Sequence, residues 1–141
     1  METKIVYLVR HGDAGSGELT ADGVRQMKET AQKLKTELCG IETIVIYHSP
    51  RLRAVQSAEI IAENLKPINA RLEYHDLLDC NCYQLDSVVK QAEQHCIIVG
   101  HQPDIKNYLG ETIGRYQELN NGQYVKVEIN TETWKGRVEL K

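Results

Sequence analysis

Ile5-Val6-Tyr7-Leu8-Val9, running straight into Arg10-His11-Gly12-Asp13, is the stretch on which the fold turns. Five consecutive apolar residues, rich in β-branching, leave a strand without a polar face. Such a strand belongs in the middle of a parallel sheet covered by helices on both sides. The abrupt change to Arg-His-Gly marks where it leaves the core. Two further runs have the same form: Ile44-Val45-Ile46-Tyr47 passes into His48-Ser49-Pro50-Arg51-Leu52-Arg53, and Cys96-Ile97-Ile98-Val99 into Gly100-His101-Gln102-Pro103.

Helical segments separate these runs. Thr20 is placed to cap a helix over 21–38, with Asp22 in its first turn and Gly40 as its stop. Ser49-Pro50 reads as a cap followed by Pro at N1, opening a helix over 51–65. Residues 88–94 and a short segment from Pro103-Asp104 to near Gly110 complete the helices. Strand and helix alternate, which predicts an α/β fold: a three-layer sandwich with a mostly parallel central sheet and helices on both faces. The last third changes character. Val125, Val127 and Ile129 alternate with Tyr124, Lys126 and Glu128, residues 134–140 alternate again, and Asn121-Gly122 and Asn130-Thr131 mark turns. That pattern predicts an antiparallel C-terminal hairpin at a sheet edge. With no repeat and no linker, one domain over 1–141 is expected.

Composition narrows the function. A chain of 141 residues is one domain's length and buries enough surface to fold without staples. With 41% hydrophobic residues, 10 Gly and 3 Pro it is neither disordered nor fibrous. Lys and Arg number 17 against 20 Asp and Glu, a formal charge of −3, which excludes a strongly basic nucleic-acid or membrane-surface domain. The apolar run at 5–9 is too short for a signal peptide's apolar region or a membrane span. A cytoplasmic monomer with reduced thiols at Cys39, Cys80, Cys82 and Cys96 is therefore expected. Cys80-Asn81-Cys82 is spaced more tightly than zinc ligands usually are and lacks a second pair. No metal and no cofactor is expected, and a zinc-binding adaptor built on Cys80 and Cys82 is the weaker rival.

The chemistry sits where the strands end. In open parallel sheets ligands bind beyond the carboxyl ends of the strands, so three polar ends would converge on one cleft. Arg51 and Arg53 fall in the first turn of a helix, where basic residues cost a few tenths of a kcal/mol; an anion docked there reverses that sign. The guanidinium fork fits phosphate oxygens, and no G-x-x-x-x-G-K-[ST] loop points to a nucleoside triphosphate instead. A neutral imidazole attacks phosphorus when its other nitrogen is tied to a backbone carbonyl. A second imidazole, protonated, would join the arginines in neutralising the phosphoryl oxygens in place of a metal. His48 is read either as pocket lining or as packing, Arg51 either as a ligand or as a solvated side chain. His75 and His95 are expected on the surface.

These residues also carry a resemblance. Leu8-Val9-Arg10-His11-Gly12-Asp13-Ala14 resembles the R-H-G signature of the histidine phosphatase (phosphoglycerate-mutase-like) superfamily. Leu19-Thr20-x-x-Gly23, Ser49-Pro50-x-x-Arg53-Ala54-x-Gln56-Ser57-Ala58 and Val99-Gly100-His101-Gln102-Pro103 are similar to the segments that follow in that family, and the likeness extends from Ile5 to about Ile105. The R-H-G-D-A form, the short chain and V-G-H-Q-P are most similar to the small SixA-type branch of phosphohistidine phosphatases. The resemblance implies His11 as nucleophile, with Arg10, Arg53 and His101 completing the phosphate pocket. Larger members carry a carboxylate acid in an inserted segment that has no counterpart here. Asp76-Leu77 aligns best with their acid-Leu pair, so Asp76 is the candidate acid, with Glu73, Asp79 and Asp13 as alternatives. A cleft without that insertion suits a protein-borne phosphate. The implied protein is a metal-independent phosphatase acting through phospho-His11 on phosphohistidine in a protein. The alternatives are a small-molecule phosphomonoesterase and a non-catalytic module that binds phosphorylated partners.

Overall fold

A computed structural model describes residues 2–79 and 82–139. In chain order they form β1 (Thr3–Arg10), the short strands β2 (Ala14–Gly15) and β3 (Glu18–Leu19), α1 (Ala21–Glu37), β4 (Thr43–His48), α2 (Leu52–Leu65) and β5 (Asn69–Tyr74). A 3-10 turn (Asp76–Leu78), α3 (Cys82–Gln91), β6 (His95–Gly100), α4 (Asp104–Ile113), β7 (Tyr124–Asn130) and β8 (Gly136–Glu139) follow. Six strands make one sheet in the order β5-β4-β6-β1-β7-β8, while β2 and β3 pair separately. The first four of the six are parallel; β7 runs antiparallel to β1, and β8 to β7.

The strand period of two distributes side chains to two cores. Along β1, Tyr7 and Val9 meet Met27, Ala31 and Leu34 of α1 and Ala58, Ile61 and Leu65 of α2. Val6 and Leu8 point the other way, toward Leu85, Val88 and Val89 of α3 and Ile105 and Leu109 of α4. Three layers result, and each fully buried Leu or Ile contributes roughly 1.5–3 kcal/mol. The hairpin obeys its alternation: Val125, Val127 and Ile129 are buried, Val127 and Ile129 wholly so. Lys4 is buried beside the end of α3, where its amine donates to the carbonyls of Val89, Lys90 and Ala92 at 2.7–2.9 Å. Val89 and Lys90 are in the last turn of the helix, whose carbonyls lack the regular donor four residues on. Among the described residues no helix is long and apolar enough to cross a membrane.

Four local expectations are corrected. The second helix starts at Leu52 with Arg51 as its cap residue and no side-chain cap; the Ser49 hydroxyl meets His101 and accepts from Arg51 N, one residue ahead of the helix. The third helix is Cys82–Gln91 rather than 88–94, since Leu85, Val88 and Val89 form its buried stripe and His95 already belongs to β6. The fourth helix runs through Gly110 to Ile113, and Gly114, at φ +80°, ends it. His95 is half-buried and stacked on Tyr7 with ring centroids 5.8 Å apart. β5, which no apolar run announces, lies at the sheet edge with only Ala70 partly buried.

Candidate active site

β1, β4 and β6 end side by side, and the residues that follow them share one cleft. His11 continues the ladder one step beyond β1, its N–H donating to Gly100 O at 3.2 Å. Its Nδ1 lies 2.8 Å from Gly12 O. A carbonyl only accepts, so Nδ1 carries the proton and Nε2 keeps its lone pair. His11 is buried, and burial first, then the Arg10 and Arg53 guanidinium groups, hold its pKa below the usual histidine value against the upward pull of Gly12 O. The His101 ring stands 5.1 Å from that of His11, inclined at 60°. Its Nε2 is 2.7 Å from the Ser49 hydroxyl, whose oxygen also accepts from Arg51 N at 3.2 Å.

Burial, then His11 and Arg51, push the pKa of His101 down to about 4. At neutral pH the ring is uncharged, which differs from the protonated imidazole that the sequence suggested. The reason is tertiary: burial and neighbouring cations both disfavour the charged form. The folded value lies below the unfolded 6.5, so the unfolded chain binds more protons between those limits and stability falls as the pH drops toward 4. From pH 7 to pH 5 the wild type is expected to lose about 1–2 kcal/mol more unfolding free energy than His101→Gln. Urea melts in a buffer without phosphate read that difference; equal losses would remove it.

The guanidinium groups come from two elements. Arg10, at the end of β1, donates through Nη1 to Leu119 O at 2.8 Å, while its buried Nε has no hydrogen-bond partner. A buried orphan donor in a cationic cleft is what an oxyanion would satisfy. Arg53 lies in the first turn of α2, which holds no acidic residue, and its charge acts on both imidazoles. Arg51 is paired with Asp79, Nε to Oδ1 at 2.7 Å, with half its side chain exposed. His48 is buried, with Nδ1 3.0 Å from Ser49 O and its ring edge-on to Tyr74, the setting of a packed imidazole.

Glycines let the loop that carries His11 close on α1. A Cβ on Gly12 would come within 2.7 Å of Gly23 O, and one on Gly23 would overlap the carbonyl of Asp13. Backbone here packs on backbone. Gly23→Ala should therefore displace the loop that carries His11, costing about 1–3 kcal/mol and lowering kcat more than it raises KM. A thermal melt beside steady-state kinetics checks this, and an unperturbed kcat would show that the loop tolerates the methyl group.

Several positioning residues have no role assigned from the sequence, although Gln56 and Ser57 stand within the second segment quoted above. Ser57, wholly buried, accepts from Gly12 N at 3.1 Å and donates to Arg53 O at 2.8 Å, tying the two motifs together. Gln26 and Gln56 accept from Asp13 N and Leu19 N at 2.9 and 2.8 Å. The 119–123 loop backs the cleft: Gly122 N donates to Arg10 O and His11 O, at φ +78°, where a side chain would be strained. The sequence offers Asn121-Gly122 only as a turn; the contact spans more than a hundred residues.

The candidate acids separate. Asp13 accepts from Thr20 at 2.8 Å and Asn121 at 3.3 Å, and Asp79 binds Arg51. Asp76 is exposed and accepts from the Tyr74 hydroxyl at 2.6 Å. Asp79, not Asp76, is among the leading charges acting on His101. Glu73 pairs with Arg71 on the edge strand at 3.6 Å. Among the described residues no three His, Cys, Asp or Glu side chains gather as a metal-ligand set. Cys80 and Asn81 lie outside those residues.

Fold and site together define an α/β domain whose parallel strands deliver two buried imidazoles and a set of arginines to one cleft. Residues 6–81 match the model of the histidine phosphatase superfamily (branch 1), more than half of the chain, and the chain belongs to that superfamily. No curated protein sequence matches it. Among solved structures it is similar to one provisionally described as the phosphohistidine phosphatase SixA from Nakamurella multipartitia, at 19% identity and TM-score 0.83, covering 99% of this chain and 95% of that one. A protein histidine phosphatase SixA complexed with tungstate gives 20% identity and TM-score 0.79, over 96% and 94% of the two chains. The phosphoglycerate mutase of Plasmodium falciparum gives 23% and 0.77, over 100% and 91%. At these identities the likeness is one of fold.

Proposed function

We propose that this protein is a metal-independent phosphatase that works through a phosphohistidine on His11 and removes phosphate from phosphohistidine in a protein. The observation that carries the reading is the His11 tautomer: Nδ1 is held 2.8 Å from Gly12 O, so Nε2 keeps its lone pair. That nitrogen attacks phosphorus, the phosphorus–nitrogen bond to the substrate imidazole breaks, and the departing imidazole takes up a proton. Water then attacks phospho-His11, its phosphorus–nitrogen bond breaks, and His11 is regenerated as inorganic phosphate leaves. Arg10 and Arg53 neutralise the phosphoryl oxygens, and the phosphoryl dianion draws a proton onto His101 by supplying the negative charge that its surroundings lack.

Asp76 is assigned the proton-donor role as the acid of the Asp76-Leu77 pair that the resemblance aligns; it is exposed and its partner is a neutral hydroxyl, that of Tyr74, whereas Asp79 is bound to the Arg51 guanidinium. An imidazole leaving group needs little help, whereas an alkoxide needs a positioned acid, worth about 10²–10⁴-fold. Asp76→Asn should therefore slow hydrolysis of an alkyl phosphomonoester by about 10²-fold and leave phosphohistidine turnover near normal. Equal effects on both substrates, or none on either, would remove the role.

The choice of substrate is supported by the SixA neighbours, while a mutase of the same fold keeps small phosphate esters as the second reading. The deciding experiment compares phosphate release from a phosphohistidine-bearing protein with release from a panel of small phosphomonoesters, in excess EDTA. A higher kcat/KM on the protein supports the proposal; a higher value on a small ester replaces the substrate. Stoichiometric capture of the phosphoprotein without release would make the domain a binding module.

A further inference from the structure

The rings of His11 and His101 have centroids 5.1 Å apart, but they are anchored through different nitrogens. His11 gives its Nδ1 proton to Gly12 O, 2.8 Å away, and keeps a lone pair on Nε2. His101 is held at Nε2, 2.7 Å from Ser49 Oγ. Unlike a carbonyl, a hydroxyl can give or take a hydrogen bond, so this contact alone leaves the His101 tautomer open. A third group closes it. Arg51 N donates to the same oxygen at 3.2 Å. Ser49 is wholly buried, and among the described residues its hydroxyl proton has no acceptor other than His101 Nε2. Were Nε2 to carry the ring proton, Oγ would face two donors and its own proton would be buried and unbonded, which native interiors avoid. With the hydroxyl donating, every group is satisfied, and the uncharged ring carries its proton on Nδ1. Nδ1 has no partner among the described residues. It is also not among the buried nitrogens sealed without one, which are Arg10 Nε, His95 Nε2 and Gln102 Nε2, so it opens to the cleft.

We propose that Ser49 is a positioning residue for His101: its hydroxyl fixes the proton on Nδ1, so that the ring donates a hydrogen bond to a phosphoryl oxygen. The role rests on the phosphate pocket proposed above. Two side chains of one type then meet the phosphoryl group with opposite functions. His11, anchored through an N–H, offers a lone pair to phosphorus; His101, anchored through a lone pair, offers an N–H to oxygen. The donors run in one direction, from Arg51 N–H to Ser49 Oγ, from Ser49 O–H to Nε2, and from Nδ1–H to the anion. Each bond in such a chain polarises the next. The chain begins at Arg51, the cap residue of α2, where the helix end is positive. The potential of that helix end therefore reaches the phosphoryl group through the imidazole. A second proton, drawn onto the ring when the dianion binds, enters at Nε2, and the hydroxyl turns from donor to acceptor. Its own proton is then unbonded, so Ser49 opposes protonation until the dianion is present. Nδ1–H stays on the phosphoryl oxygen in both charge states.

The test is nitrogen-15 NMR of the full chain with labelled histidines, at pH 7 in a buffer without phosphate. Long-range couplings to the ring carbon-bound protons separate a protonated nitrogen from one with a lone pair, and the His101 signals are those missing from His101→Gln. Nδ1 should be the protonated nitrogen of His101. A proton on Nε2, or an even mixture of the two forms, overturns the proposal, and the wild-type spectrum decides this whether or not any variant folds. Ser49→Ala should release the tautomer to a mixture and weaken binding of inorganic phosphate by about tenfold. Ser49→Thr keeps the hydroxyl and should keep the wild-type tautomer. Circular dichroism identifies any variant that fails to fold. A folded Ser49→Ala in which His101 holds its tautomer also overturns the proposal. The spectrum is read without turnover, so the two readings fail separately. A proton on Nδ1 in a protein that releases phosphate from no substrate keeps the role of Ser49 and removes the proposed activity; a proton on Nε2 in an active enzyme does the reverse.

Discussion

His11→Ala should reduce phosphate release from a phosphohistidine protein by at least about 10³-fold, with the fold retained. Removing a nucleophile removes the pathway rather than one contribution to it, so the loss is set by whatever water attack the remaining pocket supports. His11 is buried at the end of β1, and a smaller side chain there leaves both hydrophobic cores untouched. Its ionisation works in the same direction. Burial keeps its pKa below the ordinary value, so the wild-type ring is neutral and nucleophilic at pH 7. The measurement is a rapid-quench experiment with labelled substrate at alkaline pH, where a phosphorus–nitrogen bond to imidazole survives. Wild type should accumulate labelled protein within one turnover; His11→Ala should accumulate none. Labelled variant protein, or equal steady-state release by both, would mean that another group attacks phosphorus.

Arg53→Ala should lower kcat/KM by about 10²–10³-fold, again without unfolding the chain. Arg53 is the one guanidinium among the leading charges on both His11 and His101. It stands in the first turn of α2, which has no acidic side chain and no side-chain cap, so the helix dipole adds to its positive field. Phosphoryl transfer depends on positioning and on charge placed where the oxygens develop it. Arg53→Lys should recover only part of the loss, because an ammonium lacks the two-pronged fit to phosphate oxygens. Its backbone carbonyl still accepts from Ser57, so the link to Gly12 survives either substitution. Near-normal turnover with unchanged affinity in Arg53→Ala would take Arg53 out of the site. The two variants also differ in phosphate binding: Arg53→Ala should lose it, while the smaller side chain of His11→Ala leaves the arginines in place to retain it.

How much of this was legible in the sequence depended on whether the deciding interaction was local. β1, β4 and β6 were readable because a strand buried on both faces has to be apolar throughout, and Arg10, His11, Arg53 and His101 because polar chemistry begins abruptly where such strands end. The hairpin was readable because one buried face imposes a period of two. β5 was not, since an exposed edge strand is held by backbone bonds to β4 that leave little mark on its side chains. Ser49 illustrates the limit most sharply. Locally it has every feature of a helix cap, yet the hydroxyl meets His101, fifty-two residues away, and the helix starts without it.

The sequence by itself determined the parallel core, the family and the polar residue types gathered where the strands end, because hydrophobic periodicity and abrupt polar boundaries are properties of neighbours along the chain. The tertiary structure alone decided which nitrogen of His11 holds the proton, that His101 is uncharged at neutral pH, and that Gly122 and Leu119 back the cleft. Those outcomes depend on burial, on the local field and on backbone direction, all of which are set by residues distant in sequence and adjacent in space.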